Sequence, residues 1–188
     1  MNDMAPPAAS EPGAGTGRLH WEDFVPGAVS EFGGITLTRE AIVDFARQFD
    51  PQPFHLDEAA ARESLFGALC ASGWHTASLA MRMMCDAYLL RTASLGSPGL
   101  DALRWTRPVF PGDTLSVRMT VLQARAMASR PGVGLVQHRW EVLNQRGEGV
   151  MTMEGWGMMR RRNGAARPDP PEQPGPAAEG PAPAAGNP

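Results

Sequence analysis

The chain has 188 residues, 43% of them hydrophobic, and a formal net charge of −3. This length predicts a single domain with a buried core, and the mildly acidic balance provides no positive field that would attract nucleic acid. All 17 basic residues are arginines. A lysine Schiff base and a lysine general base are therefore excluded for this chain.

Two segments of biased composition flank the predicted domain. Residues 1–17 and 163–188 are rich in proline, alanine and glycine and lack hydrophobic periodicity, which predicts that both are disordered. The domain is expected to span residues 18–162. The two cysteines, Cys70 and Cys85, are too few for a disulfide framework, and the sequence has neither a signal-peptide pattern nor a good membrane span. We expect a cytoplasmic protein without a membrane partner.

A strand followed by two helices is predicted for the first part of the domain. Ala28–Thr38 has strand character and ends in a threonine that can cap a helix. Arg39–Phe49 carries apolar residues at helical spacing. Pro51 disfavours helical backbone at the preceding residue, so this helix is expected to end at Asp50. A short second helix is predicted for Asp57–Ser64.

A longer helix is predicted for Gly73–Leu90. Its apolar residues lie nearly all round it, a pattern that is typical of a helix wrapped by the rest of the protein. We interpret Met81, Met83 and Met84 as core packing.

The rest of the domain has strand character. After a break at Gly96–Gly99, the segment Thr114–Met127 alternates apolar and polar residues, and two further strands are separated by a turn at Asn144–Glu148. One buried helix against an antiparallel sheet is an α+β architecture.

A carboxylate and an imidazole are separated by two prolines in the stretch from Asp50 to His55. Asp50 could simply end the helix, and His55 could be a surface turn residue. The prolines fix the local path, however, and apolar neighbours such as Phe54 indicate partial burial. A partly buried carboxylate near an imidazole can orient a water molecule and move its protons near neutral pH. Both residues are candidates for hydrolysis, hydration or dehydration.

Ser72 and Gly73 lie at the predicted start of the long helix. Backbone N–H groups in a first helical turn lack intrahelical partners, and the helix dipole is positive there. Such a site can serve as an oxyanion hole, and glycine lets a ligand approach the backbone. The alternative is structural, with Ser72 as the N-cap and Gly73 needed for close packing. This stretch alone does not separate the two interpretations.

The sequence gives little support for a metal site, a phosphate-binding loop or a reactive cysteine. No histidine pair has metal-ligand spacing with cysteine or carboxylate support, and no glycine-rich phosphate loop occurs. We interpret His75 as a packed residue of the long helix, and His138 and Trp140 as sheet-face residues. Nothing near Cys70 in the sequence would activate its thiol. We expect no metal and no cofactor.

Three ordered motifs resemble the MaoC-like dehydratases, a family with the hot-dog fold that includes the (R)-specific enoyl-CoA hydratases. They are DPQPFHLDEAAA, FGALCASGWHTASL and RPVFPGDTL. The likeness extends from about Trp21 to Arg160. The family pattern around the catalytic pair is approximately D-x-N-P-L-H, in which Asp50 and His55 match the acid and the histidine. Gln52 replaces the usual Asn.

The resemblance implies a single hot-dog domain, with a long central helix wrapped by an antiparallel sheet and paired into a homodimer. It implies reversible addition of water to a 2-enoyl thioester carried by coenzyme A or acyl carrier protein. Asp50 and His55 would activate the water, and the Gly73 N–H would form the oxyanion hole. Ser72, which stands where the family often has His, would bind substrate together with Phe54 and Trp74.

Two alternatives remain open at this stage. The hot-dog fold also hosts acyl-CoA thioesterases, and fold alone does not separate the two reactions. Gln52 in place of the usual Asn, and Phe54 in place of the usual Leu, also leave room for a non-catalytic thioester-binding subunit.

Overall fold

The computed structural model describes residues 17–162. The disorder predicted for residues 1–16 and 163–188 therefore lies outside the described residues. Within the described part, no helix is both long and apolar enough to cross a membrane.

Within the described residues, one strand comes first along the chain, four helices follow it, and the other four strands form the second half of the domain. After a 3₁₀ turn at Trp21–Asp23, the elements are β1 (Val29–Thr36), α1 (Arg39–Phe49), α2 (Pro53–Leu56), α3 (Glu58–Glu63) and α4 (Gly73–Ala87). A second 3₁₀ turn at Leu89–Arg91 leads to β2 (Gly99–Trp105), β3 (Thr114–Ala126), β4 (Val133–Leu143) and β5 (Gly149–Arg160).

The strands form one antiparallel sheet in the order β1-β3-β4-β5-β2. Alternate residues of β3 are buried, as the sequence predicts: Leu115, Val117, Met119 and Val121. Because side chains alternate across a strand, these four residues share the face of the sheet that builds the core. Helix α4 contacts β1 and β3, which gives the α+β arrangement of one helix on one sheet.

The ends of the helices follow the capping signals in the sequence. The Thr38 side chain accepts a hydrogen bond from the Ala41 N–H and begins α1, and Asp50 is the residue at which α1 ends. Ser72 caps α4 in the same way. Helix α2 was not predicted from the sequence. It is a single helical turn that begins with Pro53, and proline is well suited to the first helical position.

Helix α4 packs against the antiparallel sheet, as predicted, and part of its surface is open to solvent in the single chain. Trp74 is 58% exposed and Met81 is 50% exposed, whereas Met83 and Met84 are buried. Met81 is therefore not a core residue. Half of its apolar side chain is exposed to solvent.

Candidate active site

Asp50 and His55 lie close together, one on each side of the turn that Pro51 and Pro53 stiffen. The His55 Nε2 atom is 3.5 Å from Asp50 Oδ2. The His55 side chain is 6% exposed and that of Asp50 is 18% exposed, so the pair is largely shielded from bulk water. Helix α2 begins at Pro53 and turns His55 back toward the end of α1.

Both carboxylate oxygens of Asp50 accept hydrogen bonds. The Ser72 hydroxyl donates to Oδ2 at 2.7 Å, and the Gln52 amide donates to Oδ1 at 2.8 Å. Burial opposes ionisation of Asp50, but these two hydrogen bonds and the nearby His55 outweigh it and hold the pKa of the carboxyl below its ordinary value. Asp50 is therefore an ionised, fixed acceptor near neutral pH.

The ring orientation of His55 is set by a backbone carbonyl. His55 Nδ1 lies 2.8 Å from the carbonyl oxygen of Cys70. Since a carbonyl only accepts, Nδ1 carries a proton, and in the neutral ring Nε2 is then the unprotonated nitrogen. Its lone pair faces the Asp50 side of the site. The Phe54 ring packs edge-on against the imidazole, with 4.5 Å between ring centroids.

The start of α4 lies beside this pair. Ser72 is buried and accepts a hydrogen bond from the Trp74 N–H while it donates to Asp50. Among residues 17–162, no group accepts a hydrogen bond from the Gly73 N–H. Gly73 also has a packing role. A Cβ on Gly73 would stand 2.4 Å from the Trp105 ring, whose Nε1 donates to the Gly73 carbonyl at 2.8 Å.

A cavity of about 490 Å³ opens between these groups, a size typical of small-molecule sites. Its walls include most of the predicted site residues together with one arginine: Asp50, His55, Gly73, Phe54, Trp74 and Arg107. Ser72 is not among the lining residues and acts on the cavity only through Asp50. The structure thus brings five of the six predicted residues to one cavity and places the sixth behind it.

The remaining candidates from the sequence lie elsewhere or are unreactive. His75 is buried and stacks on Phe45 with 4.5 Å between ring centroids. Burial raises the pKa of the Cys70 thiol to about 11, so this cysteine is protonated near neutral pH and is a poor nucleophile. No cluster of three or more metal-ligating side chains occurs among the described residues.

Sequence reasoning missed two groups that shape the site. The Cys70 carbonyl fixes the tautomer of His55, and the Trp105 indole covers Gly73. The first is a backbone atom and leaves no trace in residue types. The second is a contact between two positions that are 32 residues apart in the chain. Nothing in the local sequence around Trp105 indicates that its side chain packs on Gly73.

The fold, a helix on a five-stranded antiparallel sheet, is that of the hot-dog proteins. The chain belongs to the MaoC-like dehydratase family, because the family's sequence model, described as a MaoC like domain, matches residues 23–139. This result confirms the resemblance seen in the three sequence motifs.

Individual relatives agree with this assignment. The crystal structure of the MaoC-like dehydratase from Rhodospirillum rubrum is 43% identical, covers 77% of this chain and 98% of its own, and has a TM-score of 0.72. The R-hydratase from Pseudomonas aeruginosa, at 24% identity, covers 84% of this chain and 97% of its own with a TM-score of 0.62 and shares the fold. Mesaconyl-CoA hydratase of Cereibacter sphaeroides is 44% identical over 63 residues, which are 34% of this chain and 18% of that protein.

Proposed function

We propose that this protein catalyses the reversible addition of water to a 2-enoyl thioester. The observation that carries the proposal is the 3.5 Å approach of His55 Nε2 and Asp50 Oδ2 at the wall of a cavity that also exposes the start of α4. The hydratase among the relatives and the dehydratase family to which the chain belongs support the same reaction class.

In the hydration direction, Asp50 and His55 hold one water molecule over C3 of the acyl group. As the water oxygen bonds to C3, one of its protons passes to the free Nε2 of His55, because the hydrogen bonds to Asp50 lower the pKa of that carboxyl and make it a poor proton acceptor. The ionised Asp50 stabilises the imidazolium that forms. The same Nε2–H then delivers its proton to C2, so that one water is consumed and the pair returns to its starting state. Positioned acid–base catalysis of this kind contributes about 10²–10⁴-fold.

The thioester carbonyl gains negative charge while C3 is attacked. In the proposal its oxygen accepts the Gly73 N–H, which is aligned with the positive end of the α4 dipole. One donor of this type is worth roughly 10²–10³ in kcat. The close packing of Trp105 on Gly73 fixes the direction of this N–H and takes up the space beside its Cα.

The carrier of the acyl group is proposed to be coenzyme A or acyl carrier protein. Arg107 lies in the cavity wall and is exposed, and an arginine there suits the phosphate groups of either carrier. The proposal includes a cytoplasmic location, where such thioesters and the two free cysteines would be stable.

A homodimer is the second part of the proposal. Strand β2 is an edge of the sheet, and unpaired edges are usually covered or protected. Trp74, Met81, Leu100 and Trp105 are all exposed. A second copy of the chain on this face would cover the edge strand and bury these apolar side chains. Light scattering should give twice the chain mass, and Leu100→Glu should yield a monomer; a wild-type monomer at micromolar concentration would contradict this part.

The catalytic assignment is tested with two variants and a matched control. Asp50→Asn and His55→Ala should each lower kcat on crotonyl-CoA at least about 100-fold, while circular dichroism remains that of the wild type. Asp44→Asn is the control, because Asp44 lies on the same helix but its side chain is 66% exposed and its partner is Arg47. Near-wild-type turnover in both site variants would overturn the assignment.

Product analysis separates the alternatives. Loss of enoyl absorbance without release of thiol indicates hydration, whereas release of free coenzyme A indicates a thioesterase. Tight acyl-CoA binding with neither change, in protein purified alone, would favour a non-catalytic subunit.

A further inference from the structure

The third sequence motif, RPVFPGDTL, contains most of the loop between β2 and β3. Its first residues reach the candidate active site, where Arg107 and Val109 line the cavity. Its last residues form a tight turn, in which the Asp113 N–H donates to the Phe110 carbonyl at 3.0 Å. Asp113 does not line the cavity, yet it is only 6% exposed. A carboxylate is seldom buried to this extent unless it is paired.

Both carboxylate oxygens of Asp113 have partners. Oδ2 accepts a hydrogen bond from the Phe110 N–H at 2.8 Å, which closes the turn. Oδ1 accepts one from the Gln145 side-chain amide at 2.9 Å. The oxygen of that amide accepts the Thr114 N–H at 3.0 Å, which fixes its orientation. Since Gln145 lies in the turn between β4 and β5, the carboxylate joins two turns that are 32 residues apart in the chain.

The loop that Asp113 closes is bonded to the segment that holds the candidate catalytic pair. The Ala71 N–H donates to the Val109 carbonyl at 2.8 Å. Ala71 belongs to residues 70–73, whose atoms hold both His55 and Asp50. A displacement of the loop would therefore reach the pair through a single backbone hydrogen bond.

The same turn is tied to the start of α1. The Leu37 N–H donates to the Asp113 carbonyl at 2.9 Å, and the Gly112 N–H donates to the Leu37 carbonyl at 2.8 Å. Leu37 precedes Thr38, the N-cap of α1, and Asp50 is the residue at which that helix ends. The turn thus supports the candidate acid from the helix side as well.

We propose that Asp113 is a positioning residue of the candidate active site. Its carboxylate fixes the turn, and the Val109 carbonyl then fixes residues 70–73. That segment in turn sets the orientation of the His55 ring and of the Ser72 hydroxyl. A misplacement of about 1 Å can lower a rate about 100-fold, so a loosened turn would reduce catalysis in a protein that is still folded. The inference rests on the proposed function, because it adds a residue to the machinery of the same site.

An exchange of donors and acceptors between Asp113 and Gln145 tests the inference. Asp113→Asn keeps an acceptor for the Phe110 N–H but turns a second donor toward the Gln145 amide. That amide cannot flip without losing the Thr114 N–H. Gln145→Glu alone sets two carboxylates against each other. The double variant Asp113→Asn/Gln145→Glu again gives every donor an acceptor.

The kinetic comparison is made at a temperature at which circular dichroism shows every variant to be folded. Each single variant should lower kcat on crotonyl-CoA at least about tenfold, and the double variant should recover most of this loss. Val136→Ala is the control for stability, because Val136 is 0% exposed and lies on β4 away from the Gln145 turn. It should lower the temperature of thermal unfolding and leave kcat unchanged.

A residue that only stabilised the fold would behave like this control. Single variants that unfold at lower temperature but keep the wild-type kcat would therefore overturn the inference. Gln145→Ala takes the place of a single variant that does not fold, because it leaves the bond between Asp113 and the Phe110 N–H intact. It should lower kcat as well, and a wild-type kcat in this variant would equally overturn the inference.

The ring proton on His55 Nδ1 provides a readout that does not depend on activity. It is bonded to the Cys70 carbonyl at 2.8 Å, and its NMR signal is identified by its absence from His55→Ala. Asp113→Asn should speed its exchange with water, the double variant should restore slow exchange, and Val136→Ala should leave it unchanged. This pattern in a protein that hydrates no thioester would preserve the positioning role and refute the hydratase. Hydration of crotonyl-CoA with unchanged kcat and unchanged exchange in Asp113→Asn would refute the positioning role alone.

Discussion

Ser72 connects the start of α4 with the candidate acid, and Ser72→Ala should therefore damage both. The substitution removes the N-cap of α4, which costs about 1 kcal/mol in the free energy of unfolding at any pH. It also removes the 2.7 Å hydrogen bond to Asp50. Hydrogen bonds to charged groups contribute about 1.5–3 kcal/mol. The low end applies here, because Gln52 still holds the other carboxylate oxygen. At pH 7 we expect a total loss of about 2.5 kcal/mol.

The two parts of this loss differ in their dependence on pH. The folded-state pKa of Asp50 lies below its ordinary value, so the stabilisation from its hydrogen bonds is fully present above the unfolded value of about 3.9. It is lost as the pH falls through the lower, folded-state pKa. The difference in unfolding free energy between wild type and Ser72→Ala should therefore shrink toward the cap contribution, about 1 kcal/mol, in acid.

Urea unfolding followed by circular dichroism at pH 7, 5, 4 and 3 measures this difference. Thr38→Ala is the matched control, because Thr38 caps α1 through the same type of side-chain bond but touches no carboxylate in the structure. Its loss should be about 1 kcal/mol and constant with pH. If the Ser72→Ala loss is equally constant and no larger than that of Thr38→Ala, the hydrogen bond does not control the ionisation of Asp50.

Two further substitutions test packing at the site and in the core, and one chemical modification tests the reactivity of the two thiols. Gly73→Ala should destabilise the protein and reduce kcat, because its Cβ would stand 2.4 Å from the Trp105 ring; unchanged thermal unfolding would contradict this packing role. Met151→Ala should lower the unfolding free energy by about 2–5 kcal/mol, since Met151 is 0% exposed, and a urea midpoint near that of wild type would show that the core repacks. Iodoacetamide at pH 8 should modify Cys85 well before Cys70, whose thiol pKa is raised to about 11; mass spectrometry that finds equal rates would show that the Cys70 thiol is accessible and ionised.

Local sequence signals predicted most of the elements, although not α2, and the pair of candidate catalytic residues. Pro51 determines where α1 ends, and the two-residue alternation of β3 identifies its buried face. These features depend on residues close together in the chain, and a proline or an alternation acts through local sterics. The approach of Asp50 to His55 was foreseeable for the same reason, since only five positions separate them.

Features that depend on distant residues were not predictable. The sequence left open whether Gly73 is needed for packing or for binding. The packing role became visible only from the position of Trp105, which lies on strand β2 and contacts Gly73 at the start of α4. Met81 was predicted to be a core residue because apolar residues of a helix usually face inward. The sheet covers only one side of α4, and Met81 is half exposed. His138 read as an ordinary sheet-face residue. It packs against the Phe24 ring, with 5.6 Å between ring centroids, and this contact joins positions far apart in the chain.

The geometry of the candidate site depends on one short segment, residues 70–73, rather than on the proline turn alone. His55 is held by the Cys70 carbonyl, Asp50 by the Ser72 hydroxyl, and the N–H proposed to bind the thioester oxygen belongs to Gly73. The Ala71 N–H in turn donates to the carbonyl of Val109 at 2.8 Å, and both residues line the cavity. Because acid, base and amide are all held by atoms of this segment, we expect a shift of the segment to displace all three. Substitutions in the turn between Asp50 and His55 would instead change the separation of the pair without moving the Gly73 amide.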